Sequence, residues 1–209
     1  MARYTGPVCR LCRRERMKLY LKGTKCDTMK CPIERRPYPP GDHGRTQLRR
    51  KDSEYLVQLR EKQKARRIYG LMEKQFSRVY QEANRRQGVT GENLLQLLEL
   101  RLDNAVFRAG WGASRAQSRQ FVRHGHVAVN GKRVTIPSYT LRKGDVVTLR
   151  DKARGMIVVR HNIDTLDRST PSWLETAEGG LQVTVRELPV RAQIDVPVRE
   201  QLIVELYSK

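Results

Sequence analysis

The spacing of apolar and polar positions changes character along the chain. From Asp52 to Gly110 it is helical. Asp52 or Ser53 can cap a helix running towards Tyr69, with Tyr55, Leu56 and Leu59 on one face and Gly70 as its stop. A second helix runs from Leu71 to about Arg86, where Met72, Phe76, Val79, Tyr80 and Ala83 recur at the spacing of a buried stripe. Thr90 then caps a leucine-dense stretch, Leu94, Leu95, Leu97, Leu98 and Leu102, whose wide apolar face predicts a central place in the packing. Arg101-Leu102-Asp103-Asn104 follows, then Val106 and Phe107, with a stop at Gly110.

Beyond Ser114 the period shifts. Ser114-Arg115-Ala116-Gln117 matches a capping box, and the helix it opens runs to His124 and stops at Gly125. Val127 to Val134 reads as a hairpin, because Asn130-Gly131 between β-branched runs supplies the positive φ its turn needs. Lys143-Gly144-Asp145 is a second turn, with Val146 to Leu149 as the strand after it. Leu181, Val183 and Val185 alternate with polar residues as in a half-buried strand. Met156 to Leu166 has helical spacing, opposed by Gly155 and the run Ile157-Val158-Val159. The terminal run Leu202-Ile203-Val204 is a core candidate. The fold class is α+β, in which helices precede a small antiparallel sheet. Residues 1–50 read as loop-rich, and the three prolines of Arg35-Arg36-Pro37-Tyr38-Pro39-Pro40-Gly41-Asp42-His43-Gly44 predict an extended, stiff arm.

Charge adds a function to this outline. The chain has 209 residues and a formal net charge of +20. Its first 150 residues hold 34 basic against 13 acidic residues, and its last 59 hold 8 against 9. Segregation on this scale points to a polyanionic partner, above all a nucleic acid. The neutral tail suits packing or protein contact better than phosphate. No uncharged apolar run approaches the length of a membrane span, so neither an integral membrane protein nor a membrane partner is expected. Met1-Ala2-Arg3-Tyr4-Thr5-Gly6-Pro7 lacks the apolar stretch of a secretory signal, which places the chain in the cytoplasm.

Cys9, Cys12, Cys26 and Cys31 form two close pairs able to present four thiolates to one tetrahedral ion. Arg10, Arg13, Arg14 and Lys30 beside them are expected to lower the thiol pKa. A structural Zn2+ site that clips the basic arm is the first reading. An iron–sulfur cluster is the second, and disulfides are the third. Four cysteines would close the coordination sphere, so a catalytic zinc is not expected.

Arg115, Arg119 and Arg123 lie four residues apart and predict a gently slanted cationic stripe on one helix face. The Ser114 cap adds a helix N-terminus that attracts phosphate. His124, His126, Lys132 and Arg133 follow, and the hairpin is expected to fold them beside the helix. Glutamates four residues from these arginines, the mark of a merely solvated face, are missing, which favours RNA recognised by shape and phosphate. Further candidate RNA contacts are Arg3, Arg13, Arg14, Arg35, Arg36, His43, Arg45, Arg49 and Arg50 in the arm, and Lys62, Arg66 and Arg67 in the first long helix. Eight phosphate contacts would give a log–log salt slope of roughly −6 to −7. No nucleophile elbow, zinc-protease motif or phosphate-binding loop occurs, and no enzyme activity is expected. The alternatives are an RNA-modifying enzyme that grips its substrate with the same module, and a zinc-dependent DNA regulator.

Several motifs occur in a recognisable order: Met1 to Pro7, Pro39-Pro40-Gly41-Asp42-His43-Gly44, Gln58 to Lys64, Arg66-Arg67-Ile68-Tyr69-Gly70, Arg101-Leu102-Asp103-Asn104, Val127 to Gly131, and Gln201 to Lys209. Through them the chain resembles the bacterial small-subunit ribosomal protein S-four (uS-four) family over nearly its whole length. The cysteines and the charge predict a metal-clipped basic arm over 1–50 and the periodicity a helical domain over 51–98; the resemblance implies that the tail at about 195–209 completes that domain. It further implies an RNA-binding module of helices followed by a small antiparallel β-sheet over 99–163, with a β-rich extension over 164–194. That module also occurs in pseudouridine synthases and aminoacyl-tRNA synthetases. The family resemblance implies a ribosomal location and binding of small-subunit rRNA early in assembly, at a junction of several helices that nucleates the subunit body. It implies a place near the mRNA entry path and contacts with small-subunit proteins three and five. With protein twelve, the boundary to protein five would bear on decoding accuracy. Repression of its own operon's translation is also implied. Asp42 departs from the family's usual Gln, and the cysteines occur in only some members.

Overall fold

The computed structural model describes residues 3–46, 52–166 and 169–208. The chain divides into two compact units, one of residues 1–94 with 196–209 and one of residues 95–195.

In the first unit the arm contains α1 (Cys9–Glu15), a short 3-10 turn at Gly23–Cys26 and α2 (Pro32–Arg35). The proline segment does not run on as an extended arm. It folds back, because Arg13 Nε donates to the carbonyls of Arg36 and Tyr38 at 3.2 and 3.0 Å and Nη2 to that of Pro39 at 3.4 Å. Gly44 closes the bend with its N–H on the Gly41 carbonyl, and a Cβ there would stand 2.0 Å from the Pro39 carbonyl oxygen. Ser53 is the cap of α3 (Glu54–Ile68), accepting the Leu56 N–H at 3.3 Å.

The buried face of α3 is Gln58, Lys62, Ala65 and Ile68, whereas Tyr55, expected to face inward, is 58% exposed. The tail explains the difference. Helix α10 (Glu200–Tyr207) packs on α3 and brings Glu205 to Gln58 at 2.9 Å. Helix α4 (Glu73–Arg85) buries Phe76, Tyr80 and Ala83 on its expected stripe, and Tyr207 stacks on Tyr80 with ring centroids 4.3 Å apart. Ile203, from the apolar terminal run, is fully buried.

Helix α5 (Thr90–Glu99) buries Leu94, Leu95, Leu97 and Leu98, as its leucine density predicts. In the second unit α6 (Leu102–Arg108) packs against α7 (Arg115–Arg123). Ser114 caps α7 through the Gln117 N–H at 3.4 Å, while the Gln117 side chain accepts the Ala113 N–H at 2.6 Å. The hairpin of β1 (Val127–Val129) and β2 (Lys132–Arg133) turns at Asn130 and Gly131, with φ of 50° and 75°.

Strand β3 (Val146–Leu149) follows the second turn. Helices α8 (Asp151–Arg154) and α9 (Ile157–Thr165) come next, the latter forming despite its β-branched start. Strands β4 (Leu174–Ala177) and β5 (Gln182–Val185) complete a five-stranded antiparallel sheet of order β2-β1-β3-β5-β4. Strand β4 has no alternation to betray it, because only Leu174 is buried and the strand lies at the sheet edge. Trp111, Val122, Val127, Val147, Trp173 and Val185 belong to the core of this unit.

Candidate nucleic-acid interface

Register assembles the site. In the sheet Val127 pairs with Leu149 and Ala128 with Arg133. The residue after β3, Arg150, therefore lies opposite His126, and its N–H donates to the His126 carbonyl at 3.0 Å. Arg150 Nη1 also donates to the Gly125 carbonyl at 3.3 Å. The Arg133 guanidinium lies directly over Gly125, where a Cβ would meet its Nε at 2.2 Å. His124 and His126 have ring centroids 6.1 Å apart.

The corner where α7 passes into β1 thus gathers Arg123, His124, His126, Arg133 and Arg150, with Lys132 beside Arg133 in β2. All are exposed except the half-buried His126. Among the described residues none of these arginines or Lys132 forms an ion pair. Burial pulls the His126 pKa down, and the charges of His124, Arg133 and Arg150 push it the same way. Arg150 carries no signal of its own in the sequence. Only the β1–β3 register places it here.

The expected stripe of three arginines is corrected. Arg119 is 7% exposed and its Nη1 lies 2.9 Å from Asp103 Oδ2, which also pairs with Arg101 Nη2 at 2.9 Å. Arg119 Nε and Nη2 are buried without hydrogen-bond partners among the described residues. Arg115 is half-buried. Its Nε donates to Asn104 Oδ1 at 2.8 Å and its guanidinium stacks over Phe107 at 4.4 Å. Asn104 in turn donates to Glu99 Oε2 at 2.7 Å, and Glu99 is gripped by Arg108 at 2.9 and 3.1 Å. Arg101-Leu102-Asp103-Asn104 is thus the polar frame under α7. Arg123 alone of the three arginines points outward, and the Ser114 hydroxyl is occupied as a cap.

In the first unit several of the candidate cations are paired internally. Lys62 is buried and reaches Glu73 Oε1 at 2.6 Å, Arg66 pairs with Glu73 at 3.3 Å, and Arg67 pairs with Glu15. Arg13 spends its donors on the arm's own carbonyls. Arg3, Arg35, Arg36, His43 and Arg45 are exposed, with Arg45 over the Tyr38 ring at 5.1 Å, and Arg14 is half-buried. Arg49 and Arg50 lie outside the described residues.

Cys9, Cys12, Cys26 and Cys31 line one small cavity in this unit. Four thiols suit a thiophilic ion by their chemistry, and the Lys22 N–H donates to Cys26 Sγ at 3.4 Å. Among the described residues, however, no three His, Cys, Asp or Glu side chains are gathered as a metal's ligands. Burial pushes the Cys12 and Cys26 thiols up, against the lowering expected from the neighbouring basic residues.

The second unit thus has helices that carry an arginine-rich corner onto a short antiparallel sheet. A model described as the S4 domain matches residues 100–147, and one described as the ribosomal protein S4/S9 N-terminal domain matches residues 3–99. The small ribosomal subunit protein uS4 of Dictyoglomus turgidum is 61% identical over 210 residues, that of Acidothermus cellulolyticus 59% over 211, and that of Thermoanaerobacter pseudethanolicus 57% over 209. Each alignment covers the whole of both chains. The chain belongs to the uS4 family of small-subunit ribosomal proteins, which are structural proteins and not enzymes.

Proposed function

We propose that this chain binds small-subunit rRNA by phosphate and shape recognition, with the corner around Gly125 as its principal contact. The observation that carries this reading is the set of exposed cations there with no acidic partner among the described residues. The acids nearest in sequence are engaged elsewhere: Asp103 with Arg101 and Arg119, Asp145 with Asn130 and the Arg142 N–H, and Asp151 with Arg154. The exposed cations of the arm supply further neutralisation, so that separate RNA segments are held in one geometry. This suits a protein that binds early and nucleates the subunit body. It also suits a place near the mRNA entry path, contacts with proteins three, five and twelve that influence accuracy, and repression of its own messenger, all of which the family suggests.

Filter binding of the full chain to the rRNA tests the interface. Arg123→Ala, Arg133→Ala and Arg150→Ala should each weaken binding across RNA sequences and reduce the salt slope by about 1, without lowering the melting temperature. Unchanged affinity in all three would remove the corner as the interface.

We further propose that the four thiols hold one structural Zn2+, drawn together by the ion itself. The arm carries little apolar surface, and bound metal would supply folding free energy on the order of 10 kcal/mol. Elemental analysis should find about one zinc per chain, released on chelation with loss of α1. Four freely reactive thiols and no metal would sink the assignment, and iron with sulfide would replace it.

A further inference from the structure

Within the first unit, the outer flank of α3 and the end of α1 enclose a groove of about 610 Å³, in the size range of small-molecule sites. Five cationic and three acidic side chains line it, leaving two positive charges over. Arg60, Lys64 and Arg67 share one face of α3, and Arg14 joins them from α1. Two acids are paired among them: Glu15, whose side chain is 1% exposed, with Arg60 and Arg67, and Glu61 with Lys64. Two arginines on one carboxylate leave donors over, and Arg60 Nε is buried with no hydrogen-bond partner among the described residues. Pro39, Leu56 and Val57 add apolar lining to the same groove.

A cationic surplus, an unsatisfied donor and apolar lining ask for a ligand with a flat apolar body and about two negative charges. Inorganic phosphate would leave the apolar lining uncovered and most of the volume empty. A carboxylate side chain brings one charge and no flat body. We propose that this groove receives a single unpaired nucleotide, its base against Leu56, Val57 and Pro39 and its phosphate against Arg60 and Lys64. The nucleotide comes either from an RNA strand or free from solution, and only the first source rests on the RNA-binding reading.

The test uses the full chain with labelled leucine and valine methyl groups. Nucleoside 5′-monophosphates should shift the Leu56 and Val57 methyl resonances, and inorganic phosphate at equal concentration should not. Leu56→Trp, which fills the groove, and Lys64→Glu should each weaken that response about ten-fold and leave the circular-dichroism melt in place. If the source is RNA, both variants should also lose about ten-fold in rRNA filter binding. Shifts with unchanged rRNA affinity assign the groove to the free nucleotide. Shifts in a chain that binds no rRNA sustain the groove and sink the RNA-binding reading. Methyl groups unmoved by any monophosphate, or moved equally by inorganic phosphate, overturn the proposal. Should Leu56→Trp fail to fold, Lys64→Glu with the phosphate control decides.

Discussion

Two guanidinium groups converge on the single carboxylate of Asp103, and at residue scale this decides which arginines are available. Arg101 grips both of its oxygens, at 3.1 and 2.9 Å, and Arg119 shares one. A buried charge stripped of its partner costs several kcal/mol, whereas loss of the second of two cations is cheap. Asp103→Asn should therefore destabilise the chain by about 3–5 kcal/mol in denaturant unfolding. Arg119→Met should change it by far less, since Arg101 still neutralises Asp103. Equal losses would show that the two arginines are not redundant. Four-residue spacing correctly placed Arg115, Arg119 and Arg123 on neighbouring turns of one helix. It could not show that the partner acid lies on another helix. Helical i,i+4 reasoning examines only a helix's own surface, and Asp103 belongs to α6.

At element scale the same logic governs α3. Its apolar content is low, and its inward face is polar because other elements bring the matching groups. Glu73 of α4 accepts from Lys62 Nζ at 2.6 Å and from the Tyr207 hydroxyl at 3.1 Å, so one carboxylate ties α3, α4 and α10 together. Burial pulls the Glu73 carboxyl up. The Lys62 hydrogen bond and charge, the Tyr207 hydroxyl and Arg66 outweigh it and hold the pKa below the usual carboxylate range. A carboxylate depressed in the folded state contributes stability above its unfolded pKa, and that stability is lost as pH falls through the folded value. Acid titration should accordingly loosen the α10 contact, seen as faster amide exchange in α10. Glu73→Gln should flatten that part of the pH profile, and an unaltered profile would assign the acid limb to another group. The helices of 52–110 and the Asn130-Gly131 hairpin were legible because periodicity and turn chemistry are local. The inner face of α3 was not, since Tyr55 and Leu56 look more apolar than Gln58 and Lys62. Pairing across 147 residues with Glu205 reverses that ranking.

At the scale of the whole molecule, ion pairs must be subtracted from the net charge of +20 before it measures the RNA footprint. Lys62, Arg66, Arg67, Arg101, Arg108 and Arg119 are committed to internal acids. The full chain should still show a steep salt dependence of rRNA binding, with a log–log slope of roughly −6 to −7 for eight phosphates. Lys62→Met should leave that slope unchanged while lowering stability. A slope reduced by about 1 would mean that Lys62 reaches phosphate after all.

The sequence by itself determined the helices of 52–124, the strands β1, β3 and β5, a cap at Asp52 or Ser53 and one at Ser114, the hairpin, the family, and the location of positive charge in the first 150 residues. These follow from local periodicity, turn conformation and composition, which need no knowledge of the rest of the chain. Only the tertiary structure decided which cations are exposed. Asp103, Glu15 and Glu73 neutralise arginines and lysines that an isolated helix would offer to solvent, while the pairing of β1 with β3 adds Arg150 to the corner at Gly125. A charge's availability depends on what stands within a few ångströms of it in space, and distance along the chain does not report that.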